Sequence, residues 1–229
     1  MERGLYIAAS GMLAEMVRQD QIANDLANGT TPGYKADRST QRSFGDLLLS
    51  NASTGATVGP LGLGVRIDKV TTDMTAGPLR QTGEALDFAV EGDGFFAVRT
   101  PQGVRYTRNG QFGVSPQGTL TTATGGIVLG QGGAPIRVAA DGTVDPRALG
   151  VFNVNNPQKQ GDSLFTGAAA GRATGAVRSG AVEASNADPT RSMVDMIASF
   201  RAFESGQRVI RTIDQTLQKA ANQVGSLPG

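Results

Sequence analysis

The sequence predicts an α+β protein in which N- and C-terminal coiled-coil-like helices pair into an inner α domain, with a central antiparallel β domain between them. Three observations predict it. Apolar residues recur at helical spacing at both ends, and period-two alternation with turn dipeptides fills the middle. In addition, 24 of the 32 glycines lie between Gly55 and Gly180, the segment that needs many tight turns. The expected division is 1–35 as an N-terminal helical assembly segment, 36–66 as a loop or extended connector, 67–184 as the β domain and 185–229 as a C-terminal helical assembly segment.

At the N-terminal end, Leu5, Ala9, Met12, Met16, Gln19, Ala23 and Leu26 step by four and three, and Leu13 and Ile22 widen the stripe. This spacing predicts one amphipathic helix, about 35 Å long. Asn28-Gly29 suits its C-terminal stop, and Pro32 forbids continuation. Gly33 then sets the exit of the chain, and valine there would be harmful if the backbone has positive φ.

At the other end, Asp188 is placed to cap a helix whose first position is Pro189. Met193, Met196, Phe200, Phe203, Gln207, Ile210, Asp214, Leu217, Ala221 and Val224 keep a 3-4 spacing, flanked by Ile197 and Ile213. Glu204 and Arg208 stand four apart in the favourable order. The spacing is coiled-coil-like, with Gln207 and Asp214 as polar register positions. Neither end can bury its stripe alone, so the predicted assembly interface is Leu5, Met12, Met16, Ile22 and Leu26 with Met193, Met196, Phe200, Phe203, Ile210 and Leu217.

Between the ends, Leu86, Phe88 and Val90 alternate with Asp87, Ala89 and Glu91, the pattern of a half-buried strand. Phe95–Thr100 and Val104–Arg108 flank Pro101-Gln102-Gly103 as a hairpin. Asn109-Gly110, Pro116-Gln117-Gly118, Gly125-Gly126 and Asp141-Gly142 mark further turns, and Val151–Val154 extends the meander. Asn51–Val65 and Gly167–Gly175, rich in Gly, Ala, Ser and Thr, read as mobile loops or as segments that order only against a partner.

Composition removes several kinds of chemistry. The chain has no cysteine and no histidine, so thiol catalysis, disulfides, His-based proton transfer and Cys/His zinc sites lack their residues. A net charge of +1 without a basic run argues against nucleic-acid binding. No apolar stretch approaches the roughly 20 residues of a membrane span, and no cleaved signal peptide is expected. Asp87, Glu91 and Asp93 could form a glycosidase-like carboxylate cluster, but the alternation instead turns them outward. Asp141 and Asp145 are too few for a calcium loop. The glycine-rich turns match no phosphate-binding loop. Neither catalysis nor a cofactor nor a metal is therefore expected.

Three groups of motifs resemble the bacterial flagellar rod and hook proteins. The first is Ala23-Asn24-Asp25-Leu26-Ala27-Asn28-Gly29-Thr30-Thr31-Pro32-Gly33-Tyr34-Lys35. The second combines Glu91–Val98, Tyr106–Phe112 and Gly118–Thr121. The third runs through Glu183-Ala184-Ser185-Asn186, Met193–Ile197 and Arg201–Glu204. They occur in family order over nearly the whole chain. Asp25 stands where the family commonly has asparagine, and Ala187 where it often has valine.

The resemblance implies a structural subunit of the flagellar basal-body drive shaft, with both terminal helices in an inner tube and the β domain outside it. It implies export, unfolded and without signal cleavage, by the flagellar type III apparatus. Phe44-Gly45-Asp46-Leu47-Leu48 is similar to the segment that such subunits present to the export gate, with Phe44, Leu47 and Leu48 as its apolar positions. The implied partners are copies of the chain itself, other rod and hook axial proteins and the export apparatus. An alternative of another class is a secreted β-domain binding module or adhesin, oligomerised by its terminal helices.

Overall fold

Both apolar stripes form helices, because leucine, methionine and alanine at 3-4 spacing place one covered face along each. The computed structural model describes residues 2–50, 53, 56–161 and 163–224. Helix α1 spans Glu2–Ala27, and α2 spans Pro189–Val224, starting at the proline that follows Asp188. The chain divides into two units, the first comprising Met1–Leu26, Asp37–Thr71 and Pro189–Gly229 and the second Ala27–Ala36 and Thr72–Asp188.

The first unit adds a set of strands to the helices. Residues 36–66, expected as a loop or extended connector, carry β1 (Asp37–Ser43), β2 (Asp46–Ser50), β3 (Thr57–Gly62) and the start of β4 (Val65–Thr72). β1 pairs with β4, and β2 with β3. Part of the Asn51–Val65 stretch expected to be mobile is thus strand, while residues 51, 52, 54 and 55 lie outside the described residues. Asp25 is buried on α1 and accepts the Asp37 N–H at 3.3 Å, a task that the amide oxygen of asparagine would also perform.

The second unit is built mainly of strands: β5 (Leu79–Gln81), β6 (Phe88–Glu91), β7 (Phe95–Thr100), β8 (Gly103–Thr107), β9 (Phe112–Val114), β10 (Leu120–Thr122), β11 (Ile127–Leu129), β12 (Val151–Lys159), β13 (Leu164–Arg172), β14 (Ala176–Ser179) and β15 (Ala181–Glu183). A seven-stranded sheet runs β12-β13-β8-β7-β11-β10-β9, and β14-β6 and β15-β5 form separate pairs. β7 is the hub. One edge pairs with β8 through the predicted hairpin, and the other is divided between β11 and the start of β12.

Both faces of β7 are covered, which explains the unbroken apolar run Phe95-Phe96-Ala97-Val98. Phe96 joins Phe88, Phe112, Leu120, Val128 and Leu149 in one core cluster, whereas Phe95 and Ala97 join Tyr106, Leu129 and Phe165 in another. Phe96 and Phe112 meet edge to face at 5.3 Å. Each fully buried large apolar side chain contributes about 1.5–3 kcal/mol of transfer free energy.

Two sequence expectations are corrected here. Asp87 and Ala89 do not turn outward; Asp87 is only 4% exposed and Ala89 is fully buried. Phe88, Ala89 and Val90 are consecutive and all buried, so both faces of β6 are covered there and the half-exposed pattern does not apply. Gly167–Gly175 is not a loose loop, because residues 164–172 form β13 and pair with β12. Backbone hydrogen bonds need no side chain, and a Cβ on Gly167 would stand 2.4 Å from Val154 Cγ1, so close packing here requires glycine.

The unit is tied together by a buried ionic cluster. Lys35 Nζ donates to Glu183 Oε1 at 2.5 Å and to the Thr75 carbonyl at 2.8 Å. The Gly77 N–H donates to the same carboxylate oxygen at 2.9 Å. Arg108 Nη1 donates to Glu183 Oε2 at 3.1 Å, Nη2 donates to the Gly92 carbonyl at 2.9 Å, and the guanidinium lies 5.1 Å from the Phe95 ring centroid. All three charged side chains are buried. Burial, partly opposed by Glu183, holds the Lys35 ammonium below its ordinary pKa of 10.5.

The segment around Lys35 is bound at almost every peptide. The Gly33 N–H donates to the Glu183 carbonyl at 2.7 Å, and the Asn186 N–H donates to the Tyr34 carbonyl at 3.3 Å. The Ala36 N–H donates to Asn186 Oδ1 at 2.7 Å. Lys159 Nζ donates to the Lys35 carbonyl at 2.8 Å while standing 3.9 Å from the Tyr34 ring centroid. Gly33 has φ 68°, and a Cβ there would stand 2.2 Å from Asn109 N. The sequence condition on Gly33 is therefore met.

Glu183→Gln leaves two buried cations without a counter-charge and is expected to destabilise the chain by roughly 3–5 kcal/mol in urea unfolding followed by circular dichroism. Lys35→Met keeps the Arg108–Glu183 pair and is expected to cost less. Between the lowered folded pKa of Lys35 and 10.5, the unfolded chain holds the proton that the folded chain has released. The contribution of this group to stability therefore rises with pH across that interval, and Lys35→Met should remove that rise from a pH series of urea midpoints. Gly33→Val combines a disfavoured positive φ with a backbone clash and should cost more than the 1–2 kcal/mol or so of the φ alone, by the same assay.

Candidate assembly surface

The terminal helices divide their apolar residues between two faces. One face of α2 is covered, with Ser199 buried and Ser192, Met196, Phe203, Gly206, Gln207, Ile210 and Ile213 half-buried. On α1, Ala14 and Ile22 are buried and Leu5, Met12 and Leu26 are half-buried. Ser199 Oγ donates to Glu15 Oε2 at 2.6 Å. A Cβ on Gly206 would stand 2.7 Å from Met12 Cγ, and one on Gly4 would stand 3.4 Å from Ile213 Cδ1. Small residues allow these approaches, as leucine or phenylalanine at the same positions would not. Arg18 and Asp195 stand 4.0 Å apart but are too exposed to contribute much.

The opposite faces are open. Met193 is 54% exposed and Phe200 55%, with Val194, Ile197 and Leu217 exposed beside or beyond them. On α1, Leu13 is 63% exposed, and Tyr6, Met16 and Val17 are also exposed. Of the predicted interface residues, the structure therefore places Leu5, Met12, Ile22, Leu26, Met196, Phe203 and Ile210 on covered faces and Met16, Met193, Phe200 and Leu217 on open ones. Ser199 and Gly206 were missed by sequence reasoning because a hydrophobic count ignores small residues. Their spacing with Met196, Phe203, Ile210 and Ile213 was the available signal.

Phe44 is also exposed. Its ring lies 6.3 Å from that of Tyr6 and 5.8 Å from the Arg66 guanidinium carbon. With Tyr6, Leu13, Val17, Val65 and Ile67 it lines an apolar groove of about 330 Å³. Leu47 and Leu48 sit in β2 opposite Leu61 and Pro60, and their side chains lie outside the described residues.

The carboxylates considered for chemistry are spread apart by function. Asp87 is buried, and Glu91 and Asp93 are exposed. Asp141 accepts both the Thr143 hydroxyl, at 2.7 Å, and its N–H, at 3.0 Å, which hold its pKa below the ordinary value. Asp145 caps the single turn at Pro146–Ala148 through the Arg147 N–H at 2.9 Å. Among the described residues, no group of three or more His, Cys, Asp or Glu is placed to hold a metal ion. No helix among them is long and apolar enough to cross a membrane.

These features define a class: an α+β chain whose first and last elements are long helices carrying uncovered apolar faces. Residues 178–224 match the family described as flagellar basal body rod FlgEFG protein C-terminal, and residues 89–146 that described as flagellar hook protein FlgE/F/G D1 domain. The chain is 31% identical to the flagellar basal-body rod protein FlgG of Bacillus subtilis, over 97% of this chain and 99% of that protein. It is 33% identical to the flagellar basal-body rod protein FlgF of Salmonella typhimurium, over 99% and 100%, and 30% identical to FlgF of Caulobacter vibrioides, over 99% and 100%. The chain belongs to the flagellar basal-body rod protein family.

The two helix faces are separable by mutation. Gly206→Leu meets Met12 and should lower the helical signal and thermal midpoint of the free chain. Met193→Ser removes an uncovered side chain and should shift that midpoint by no more than about 0.5 kcal/mol of equivalent stability.

Proposed function

We propose that this chain is a structural, non-catalytic subunit of the flagellar basal-body rod that polymerises helically through its terminal helices and transmits torque. One observation carries the reading: each terminal helix keeps an uncovered apolar face, most clearly Met193, Ile197 and Phe200 on α2, with Leu13 and Met16 on α1. Water-exposed apolar area of this kind gains stability when a neighbouring protomer covers it. Contacts that do not close on themselves build a helical filament. Family membership over almost the full length supports the same reading.

In this reading, residues 1–35 and 185–229 are the assembly segments, and the two helices pair as a coiled-coil-like hairpin in an inner α domain. Ser199 on Glu15 and Gly206 against Met12 support the pairing. Leu5, Met12, Ile22, Leu26, Met196, Phe203 and Ile210 act within that hairpin, while Met16, Met193, Phe200 and Leu217 face other protomers. The partners are copies of the chain and other rod and hook axial proteins. The chain reaches the cell envelope through the flagellar type III export apparatus without signal cleavage, and Phe44 with Leu47 and Leu48 is presented to its gate. The similarity of Phe44-Gly45-Asp46-Leu47-Leu48 to the segment presented by rod and hook subunits supports that role.

The test is Ile197→Asp combined with Phe200→Asp. The exported variant should keep the circular dichroism spectrum of the parent, yet basal bodies isolated from the strain should lack a complete rod and the cells should not swim. Basal bodies of ordinary appearance carrying the double variant would refute polymerisation through this face.

A further inference from the structure

The second unit contains a cleft whose lining residues belong to neither terminal helix. Its volume is about 900 Å³, and it is lined by Pro146, Arg147, Leu149, Val151, Arg172 and the 173–177 backbone, with Gln131 at its margin. Leu149 and Val151 are buried and give it an apolar floor. Gln131 Nε2 is already committed to the Arg147 carbonyl at 3.0 Å. Arg147 and Arg172 are both exposed, and among the described residues neither guanidinium has a carboxylate partner. No carboxylate is among the lining residues. Asp145, the nearest in sequence, is turned to cap the Arg147 N–H.

The flanking strand β14 pairs only with β6 among the described residues, from Ala176↔Glu91 to Ser179↔Phe88. The wall thus combines two free planar cations, an apolar floor and extended main chain. Guanidinium groups bind carboxylates through two parallel hydrogen bonds, and extended peptides present apolar and charged side chains alternately.

We propose that this cleft is a docking site for an extended segment of a partner protein that carries carboxylates next to β-branched apolar residues. Carboxylates of the segment accept hydrogen bonds from Arg147 and from Arg172, and their apolar neighbours cover Leu149, Val151 and Val177. The site is independent of the helix faces assigned to polymerisation, so it stands or falls separately from that reading.

The full-length chain is titrated against a fluorescein-labelled, end-blocked peptide, Val-Glu-Val-Asp-Val-Thr, by fluorescence polarisation. Saturable binding is expected. Arg147→Gln and Arg172→Gln should each weaken it about tenfold, as the loss of a charge-assisted hydrogen bond implies. The neutral peptide Val-Gln-Val-Asn-Val-Thr should bind the parent no better than the acidic peptide binds the double variant. Both substitutions are at exposed positions, so the thermal midpoint should be unchanged and a binding loss is not misfolding. Equal binding of the acidic peptide by parent and double variant, or of both peptides by the parent, would overturn the proposal. So would sedimentation showing that the parent self-associates and the double variant does not, which would assign the cleft to a second copy of this chain.

Discussion

Glu183 holds the β unit and its two chain connections in one place. Its carboxylate receives Lys35, Arg108 and the Gly77 N–H, and its main chain receives the Gly33 N–H. Lys35 belongs to the segment that follows α1, and Glu183 to the segment that precedes α2. A buried carboxylate alone would be expensive to keep charged, and two buried guanidinium and ammonium groups without it would be more so. The three are mutually necessary, which is why one neutralising substitution is expected to cost several kilocalories per mole. Packing of Phe95 beneath Arg108 links the same cluster to one of the two apolar cores.

Much of this architecture was legible in the residues. Pro189 behind Asp188 gave the start of α2, and the Glu204–Arg208 pair forms at 2.8 Å. The β7–β8 hairpin follows from Pro101-Gln102-Gly103 between two apolar runs. Burial of the ionic cluster was not legible, because its members lie far apart in the chain and each looks like an ordinary surface charge. Nor was the inward turn of Asp87, since alternation reports one covered face and both faces are covered here. Gly167–Gly175 looked loose because its side chains are small, yet β pairing acts through the main chain.

The helix surfaces show the same division. A count of large apolar residues finds both stripes but cannot say which part of a stripe the chain covers itself. Ser199 and Gly206 decide that, through a hydrogen bond and a close approach that larger side chains would block. With small residues on the covered side, Met193, Ile197 and Phe200 stay outside. The geometry that covers one side of each helix thereby leaves apolar side chains open on the other.

Lys35 and Glu183 are separated by 148 positions along the chain. Closing so long a loop is slow and entropically costly until the strands between them have formed. A polypeptide emerging with its amino end first could therefore not latch the stretch behind α1 until nearly the whole β region had appeared. The electrostatic cluster would then act as a completion check, closing only once both flanks of the β region are present.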